Sequence, residues 1–334
     1  MHAVVLVGGF GTRLRPLTFT TPKPLLPVGH VPLVERAIAT LVAGGVTEVT
    51  LALGFKPEPF IERFPDATCA GAKLHYAVEP EPLDTAGAIA FAARHTGITE
   101  TFIVANGDVL VDLDVAELLA FHRAHGAEAT IHLIPVDDPS QYGVVETDAD
   151  GRVTRFVEKP QPGESESRLI NAGTYVFEPS VIDMVPAGAR MSVEREVFPK
   201  IAERGAMYAM AADVYWIDAG RVDTYLKANL DTINGTRGTD VVAVSPLANV
   251  APDAVITNSI VGAGATIEFG AKITDSVILP GAYVATQNVV NNSIVMGRID
   301  PCCRVNHTTI GADVTVQAGS QLSDALIPDP TKGA

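Results

Sequence analysis

The architecture predicted by the sequence is a doubly wound α/β domain with a Rossmann-like, mixed sheet, followed by a left-handed parallel β-helix. Three observations predict it. Over the first two-thirds, short apolar runs alternate with stretches of helical spacing, and the runs are continuous, as in parallel strands covered on both faces. Beyond about residue 235 helical periodicity stops and apolar residues recur every six positions. A glycine-rich turn directly follows the first apolar run, at the strand end where doubly wound sheets bind ligands.

Taken in order, residues 3–7 form the first strand. Leu33, Val34, Ala37, Ile38, Leu41 and Val42 then recur at helical spacing, and Gly44-Gly45 ends that helix. Residues 46–53 and 73–79 read as the second and third strands, and 86–94 as an alanine-rich helix. Residues 101–105 make a fourth strand ending in Asn106-Gly107-Asp108, and Asp114 caps a helix that runs to His125. The glycine loop and Asp108 both fall at the carboxyl edge of the expected sheet.

A chain of 334 residues is long enough for two domains, which we place at 1–235 and 236–330. Hydrophobic residues make up 47% and charged residues 19%, a globular rather than disordered composition. A net charge of −15 argues against nucleic-acid or anionic-membrane partners, so an anionic substrate must meet a local basic cluster. No apolar run reaches membrane-spanning length, and the first strand starts at the initiator methionine without a basic leader, which points to the cytoplasm. Cys69, Cys302 and Cys303 have no metal-ligand spacing and read as thiols of a reducing compartment.

The local basic cluster is in the opening loop, Gly8-Gly9-Phe10-Gly11-Thr12-Arg13-Leu14-Arg15-Pro16-Leu17-Thr18, followed by Pro22-Lys23-Pro24. Glycines there expose backbone N–H groups to an anion, and Arg13, Arg15 and Lys23 add positive charge. The loop lacks the lysine-serine/threonine end of a P-loop and the third glycine of the dinucleotide fingerprint. Gly-x-Gly-Thr-Arg-Leu-x-Pro-Leu-Thr followed by Pro-Lys-Pro resembles the signature of the sugar-1-phosphate nucleotidyltransferases, in particular their mannose-1-phosphate guanylyltransferase branch.

That resemblance implies transfer of a nucleotidyl group from an NTP, GTP in this branch, to a hexose 1-phosphate, with Mg²⁺ as cofactor. It implies that Leu6, Gly8, Gly9, Gly11, Thr12, Arg13, Lys23, Glu79 and Gly87 bind the nucleotide. Tyr142-Gly143-Val-Val, Phe156-Val-Glu158-Lys159-Pro160 and Ile170-Asn171-Ala-Gly173 resemble family segments, so Gly143, Glu158, Lys159 and Asn171 are implied on the sugar phosphate. Asp108 and Asp218 are implied as Mg²⁺ ligands, and Arg13, Lys23, Asp108, Lys159 and Asp218 as the catalytic set. Taken alone, Asp108 reads as a turn aspartate and Lys159 as a solvated lysine. Ser192-Val-Glu194-Arg-Glu also resembles a family segment and makes Glu194 a further sugar-side candidate. Ser192 opens no ordinary capping box, since the residue three further on is Arg195.

Guanine offers two adjacent donors that one carboxylate can accept, so Glu79 or Glu81 after the third strand leans toward GTP. Asp84 stands where relatives usually carry glycine, and an aspartate near a triphosphate is unwelcome. His30 is a milder departure, in a turn that usually carries an amide. The runner-up reading is a glucose-1-phosphate thymidylyl- or uridylyltransferase.

After a linker at 234–240, the six-residue period runs through Val255, Val261, Ile267, Ile273 and Leu279, then Ile299 and Val305, then Ile310, Val316 and Leu322. Slips in phase near residues 288–292 and near His307 predict a loop or irregular corner. Open solenoid ends are commonly covered by another subunit, so a homo-oligomer through the β-helix is expected. Two rival functions follow from the repeat. A β-helix acyltransferase would use His307 as base, but no carboxylate lies near it in sequence. A non-catalytic regulatory homologue would be free to lose Arg13, Lys23, Asp108, Lys159 and Asp218, all of which are present.

Overall fold

The computed structural model describes residues 1–54, 57–161, 163–237 and 241–331; the last three residues of the expected linker lie outside them. Packing divides the chain into two compact units: 1–9 with 34–216, and 10–33 with the chain from Ile217 onward. The sequence boundary at 235/236 therefore differs from the packing. The segment after the first strand, and the helix before the linker, group with the repeat.

The first unit is a ten-stranded mixed sheet with helices. Its parallel part comprises β1 (His2–Leu6), β2 (Glu48–Leu53), β3 (Ala72–Val78) and β4 (Phe102–Asn106), in the order β4-β1-β2-β3. The central strands are largely apolar because both faces are covered, with Val4, Val5, Leu51 and Val104 fully buried, whereas β3 alternates and leaves Lys73 and Val78 exposed. Helices α1 (Leu33–Ala43), α2 (Asp84–His95) and α3 (Val115–His125) connect or flank them. Asp114 caps α3 as expected, accepting the N–H groups of Ala116 and Glu117. The chain returns across β1 to form β4, so the strand order switches between β1 and β4, the crevice where such sheets take ligands.

The rest of the sheet adds β5 (Ala129–Pro135), β6 (Gly143–Thr147), β7 (Val153–Glu158) and β8 (Leu169–Phe177), paired antiparallel, and β9 (Met207–Ala211), which pairs parallel with β5. β8 pairs with β4, β5 and β6, and its register on β5 shifts between Asn171 and Tyr175. Gly173 sits in that irregularity with φ 83°, and a side chain there would collide with the Asn106 amide.

The second unit holds the basic loop, helix α4 (Val222–Asp231) and the repeat. The repeat forms three parallel five-stranded sheets, an arrangement consistent with a left-handed parallel β-helix. One inward column runs Ile256, Ile273, Val290, Val305, Leu322, so coils take 17 residues, with one of 15. The expected strict period of six is corrected here. One corner of every coil spans five residues, so Ile256 and Ile278 face inward where Val255 and Leu279 were expected. That corner carries Asn258, Asp275, Asn292, His307 or Asp324, each with φ between 42° and 52°. Asparagine and aspartate tolerate this left-handed backbone better than most residues. The next residue is a buried Ser259, Ser276, Ser293 or Thr308, and each serine oxygen accepts the N–H of the hydroxyl residue one coil on. The slips near 288–292 and His307 are therefore a regular corner repeated in each coil. The one short coil passes through Gly297, where a Cβ would lie 2.4 Å from the Gly311 carbonyl oxygen.

Candidate active site

Four strand ends of the first unit open on one edge. β1 runs into Val7-Gly8-Gly9, β2 into Gly54, β3 into Glu79, and β4 into the turn holding Asp108, which is half-buried. Gly8 and Gly54 touch through their backbones; a Cβ on Gly8 would lie 2.9 Å from the Gly54 nitrogen. Glu79 is buried, its Oε2 accepts the Leu83 N–H at 2.9 Å, and burial pushes its carboxyl up. One oxygen of the expected base reader is thus committed to its own turn. That turn leads into Asp84, which has φ 60°, the left-handed geometry expected where relatives carry glycine.

Further along the same sheet, Gly143 lies opposite Glu158 in the β6–β7 ladder. A Cβ on Gly143 would stand 2.6 Å from the Phe156 ring and 2.9 Å from Glu158 Oε2, so any larger residue would have to push these side-chain ends aside. Glu158 is half-buried, and burial first, then the neighbouring Glu194, hold its carboxyl above the usual range. Lys159 follows on an exposed, left-handed backbone with φ 52°, a conformation costing a non-glycine residue about 1–2 kcal/mol. Strain of this kind concentrates at functional sites. Asn171 braces the β8 irregularity: its Oδ1 accepts the Gly173 N–H and its Nδ2 donates to the buried Tyr175 hydroxyl, both at 2.9 Å.

Glu194 joins this group. Its Oε2 accepts the hydroxyls of Thr85 and Ser192, each at 2.8 Å. The segment 193–197 is a π-helical turn, and this corrects the capping expectation. Ser192 Oγ accepts the Arg195 N–H, and Glu196, four residues on, reaches back to the Ser192 N–H. The wider turn moves the reciprocal glutamate one place along.

The second unit holds Gly11, Thr12, Arg13, Lys23 and Asp218 of the expected residues and gathers the last three. Gly11, with φ 59°, starts a short 3₁₀ turn over Thr12–Leu14, and Thr18 Oγ1 donates to its carbonyl. Lys23 is buried, and its Nζ reaches Asp218 Oδ1 at 3.3 Å; Arg13 stands 3.8 Å from Asp218 Oδ2 and is largely exposed. Gly220 covers this knot. A Cβ there would lie 2.6 Å from Asp218 Oδ1 and 2.8 Å from Lys23 Nζ. Helix α4 holds the loop: Tyr225 donates to the Pro27 carbonyl, and Asn229 Oδ1 accepts the Gly29 N–H. His30, with φ 125°, bonds the Val242 carbonyl. Tyr225 and Asn229 carry no local sequence signal, because their partners lie about 200 residues away.

His307 has a carboxylate after all. Its Nδ1 lies 2.7 Å from Asp324 Oδ1, exactly one coil on and therefore distant in sequence. The same corner pairs Asn258 with Asp275. Among the described residues no helix is long and apolar enough to cross a membrane, and no group of three or more His, Cys, Asp or Glu could hold a metal alone.

Two family models match the chain: nucleotidyl transferase over residues 2–235, and the GMPPB C-terminal domain over 239–333. The chain is 39% identical to a mannose-1-phosphate guanylyltransferase of Mycobacterium tuberculosis, across 87% of this chain and 83% of that one. It is 38% identical to the probable mannose-1-phosphate guanylyltransferase 1 of Oryza sativa subsp. japonica, across 95% and 92%. The crystal structure of HddC from Yersinia pseudotuberculosis complexed with GMP-PN matches with a TM-score of 0.59 at 31% identity, over 68% of this chain and 97% of that one. A putative glucose-1-phosphate thymidylyltransferase from Bacillus anthracis shares the fold, with a TM-score of 0.63 at 23% identity, over 69% and 94%. The chain belongs to the nucleotidyl transferase family and is an enzyme of its sugar-1-phosphate class.

Proposed function

We propose that this enzyme transfers a guanylyl group from GTP to mannose 1-phosphate, giving GDP-mannose and pyrophosphate. The observation that carries the reading is identity of 36–39% over most of the chain to proteins named for that reaction. The phosphate oxygen of the sugar phosphate attacks the α-phosphorus in line, the bond to the β-phosphate oxygen breaks, and pyrophosphate leaves. A phosphate monoester is already largely ionised near neutral pH, so no general base is needed, and catalysis is positioning with charge neutralisation.

In this reading Leu6, Gly8, Gly9, Gly11, Thr12 and Gly87 bound the nucleotide, and Arg13 and Lys23 take its β- and γ-phosphates. Glu79 receives the guanine edge with its uncommitted oxygen. Lys159 takes the sugar phosphate, while Gly143, Glu158 and Asn171, with Glu194, line the hexose. Asp108 and Asp218 suit Mg²⁺, which is satisfied by one or two carboxylates plus phosphate oxygens and does not need a three-residue protein cage. Bound there, the ion would supply neutralisation of charge at the α-phosphate.

We also read 1–235 as the catalytic domain, 236–330 as an assembly domain, and the cytoplasm as its compartment. Exposed Leu247, Val255 and Phe269 on the first coils are apolar surface suited to a second copy. Phe269→Glu should lower the mass measured by light scattering, and a monomeric parent rejects the assembly.

The functional test is pyrophosphate release over a grid of GTP, dTTP, UTP and ATP against mannose, glucose and heptose 1-phosphates. GTP with mannose 1-phosphate should dominate. Preference for dTTP or UTP with glucose 1-phosphate would replace this reading with the runner-up.

A further inference from the structure

We propose that Thr85 is a positioning residue that links the nucleotide-side turn to the sugar side, by fixing the carboxylate of Glu194. The proposal rests on the reading that Glu158 and Glu194 line the hexose. Thr85 is the second residue of α2, directly after left-handed Asp84 and two residues before Gly87. Its Oγ1 accepts the Val193 N–H at 2.8 Å and donates its one proton to Glu194 Oε2, also at 2.8 Å. An ionised carboxylate only accepts, so the direction of that bond is settled.

The hydroxyl, which takes the Val193 N–H, does not dock the helix alone. The N–H groups of Ala86 and Gly87 both reach the Met191 carbonyl, and the Met191 N–H reaches the Leu83 carbonyl. Gly87 packs so closely that a Cβ would lie 2.4 Å from the Ala189 carbonyl oxygen. Backbone contacts thus hold the turn against 189–193, and the Thr85 hydroxyl adds an aim for one side chain.

That aim matters because of what is left over. Thr85 and Ser192 both donate to the same oxygen, and among the described residues no donor reaches Glu194 Oε1. The half-buried Glu158 carboxylate beside it accepts no hydrogen bond from any described residue. Two neighbouring carboxylates with unsatisfied acceptor oxygens match a ligand bearing adjacent hydroxyls. Holding Oε2 from the nucleotide side presents Oε1 to the hexose.

The test compares Thr85→Val, which keeps shape and loses the hydroxyl, with Thr85→Ser, which keeps the hydroxyl. Pyrophosphate release is measured with mannose 1-phosphate varied at saturating GTP, then the reverse. Thr85→Val should raise KM for the sugar phosphate about tenfold, the scale of one hydrogen bond to a charged group, with KM for GTP within about twofold. Thr85→Ser should restore it. Adding Glu194→Gln to Thr85→Val should cost little more, because both act on one carboxylate. Thr85→Ala is read the same way should the valine variant not fold. Equal rises in both KM values, an unchanged sugar KM, or multiplied effects in the double variant would overturn the proposal while the parent stays active. A parent inactive with every substrate pair would overturn the functional reading itself, and this proposal with it.

Discussion

Asp218 faces two cations at once, and Gly220 is the reason it can. With Lys23 Nζ 3.3 Å away and Arg13 at 3.8 Å, the knot leaves no volume for a side chain above it. Gly220→Ala should therefore displace Lys23 or Asp218 by roughly an ångström and lower kcat about 100-fold, with little change in Tm. Parent-like turnover would show that the knot is not part of the machinery. The two lysines should separate by substrate. Lys23→Ala should chiefly raise KM for GTP, and Lys159→Ala chiefly KM for the sugar phosphate; identical effects on both substrates would refute the division. Arg13, Lys23, Lys159 and Asp218 could all be picked out from the sequence because they sit in compact local signatures. Thr85 could not, since the Glu194 it reaches lies 109 residues away; Gly220 stands two residues from Asp218, but its crowding by Lys23 and Arg13 is visible only in the fold.

At the scale of elements, the repeat corner is where chemistry and periodicity meet. Ser276 is fully buried; its Oγ accepts the Ser293 N–H at 3.1 Å and donates to the Thr274 carbonyl at 2.6 Å. Ser276→Ala would leave the Ser293 N–H buried without an acceptor, which should destabilise the protein by about 1–3 kcal/mol. The urea midpoint of the variant measures this, and an unchanged midpoint would mean the ladder contributes nothing. The six-residue period was legible because apolar residues must face the solenoid axis. The five-residue corner was legible only as a phase slip, because its cause is a left-handed residue and a hydroxyl ladder that runs between coils. The π-turn at 193–197 is similar: the spacing from Ser192 rules out an ordinary capping box, and only the fold shows the wider turn that brings Glu196 back to the Ser192 N–H.

For the molecule as a whole, stability should fall on mild acidification, and one residue accounts for much of it. His132 on β5 is fully buried, neither ring nitrogen finds a hydrogen-bond partner among the described residues, and burial pushes its pKa down to about 4 from 6.5. The unfolded chain then binds a proton that the folded chain refuses between those values. Its contribution is complete above about pH 6.5 and is lost as pH falls toward 4, by about 3 kcal/mol in all at 1.36 kcal/mol per unit. His132→Leu should remove this dependence, so variant and parent should differ more in urea midpoint at pH 5 than at pH 7.5. His122 is also lowered by burial, but it is common to both proteins and cancels in the comparison. An equal difference at the two pH values would mean His132 does not titrate on unfolding.

By itself the sequence determined the reaction class, the alternation of strands and helices and the switch to a repeat, and it named the charged residues that we assign to the site. Each of these is written in short-range spacing, which is what a linear pattern can record. The tertiary structure alone decided that Lys23, Arg13 and Asp218 form one knot beneath Gly220, that Thr85 reaches Glu194, and that His307 meets Asp324 one coil away. It also decided that the basic loop packs with the repeat and not with the strand it follows. Such contacts depend on where the fold brings distant segments together, and no local period or propensity encodes them.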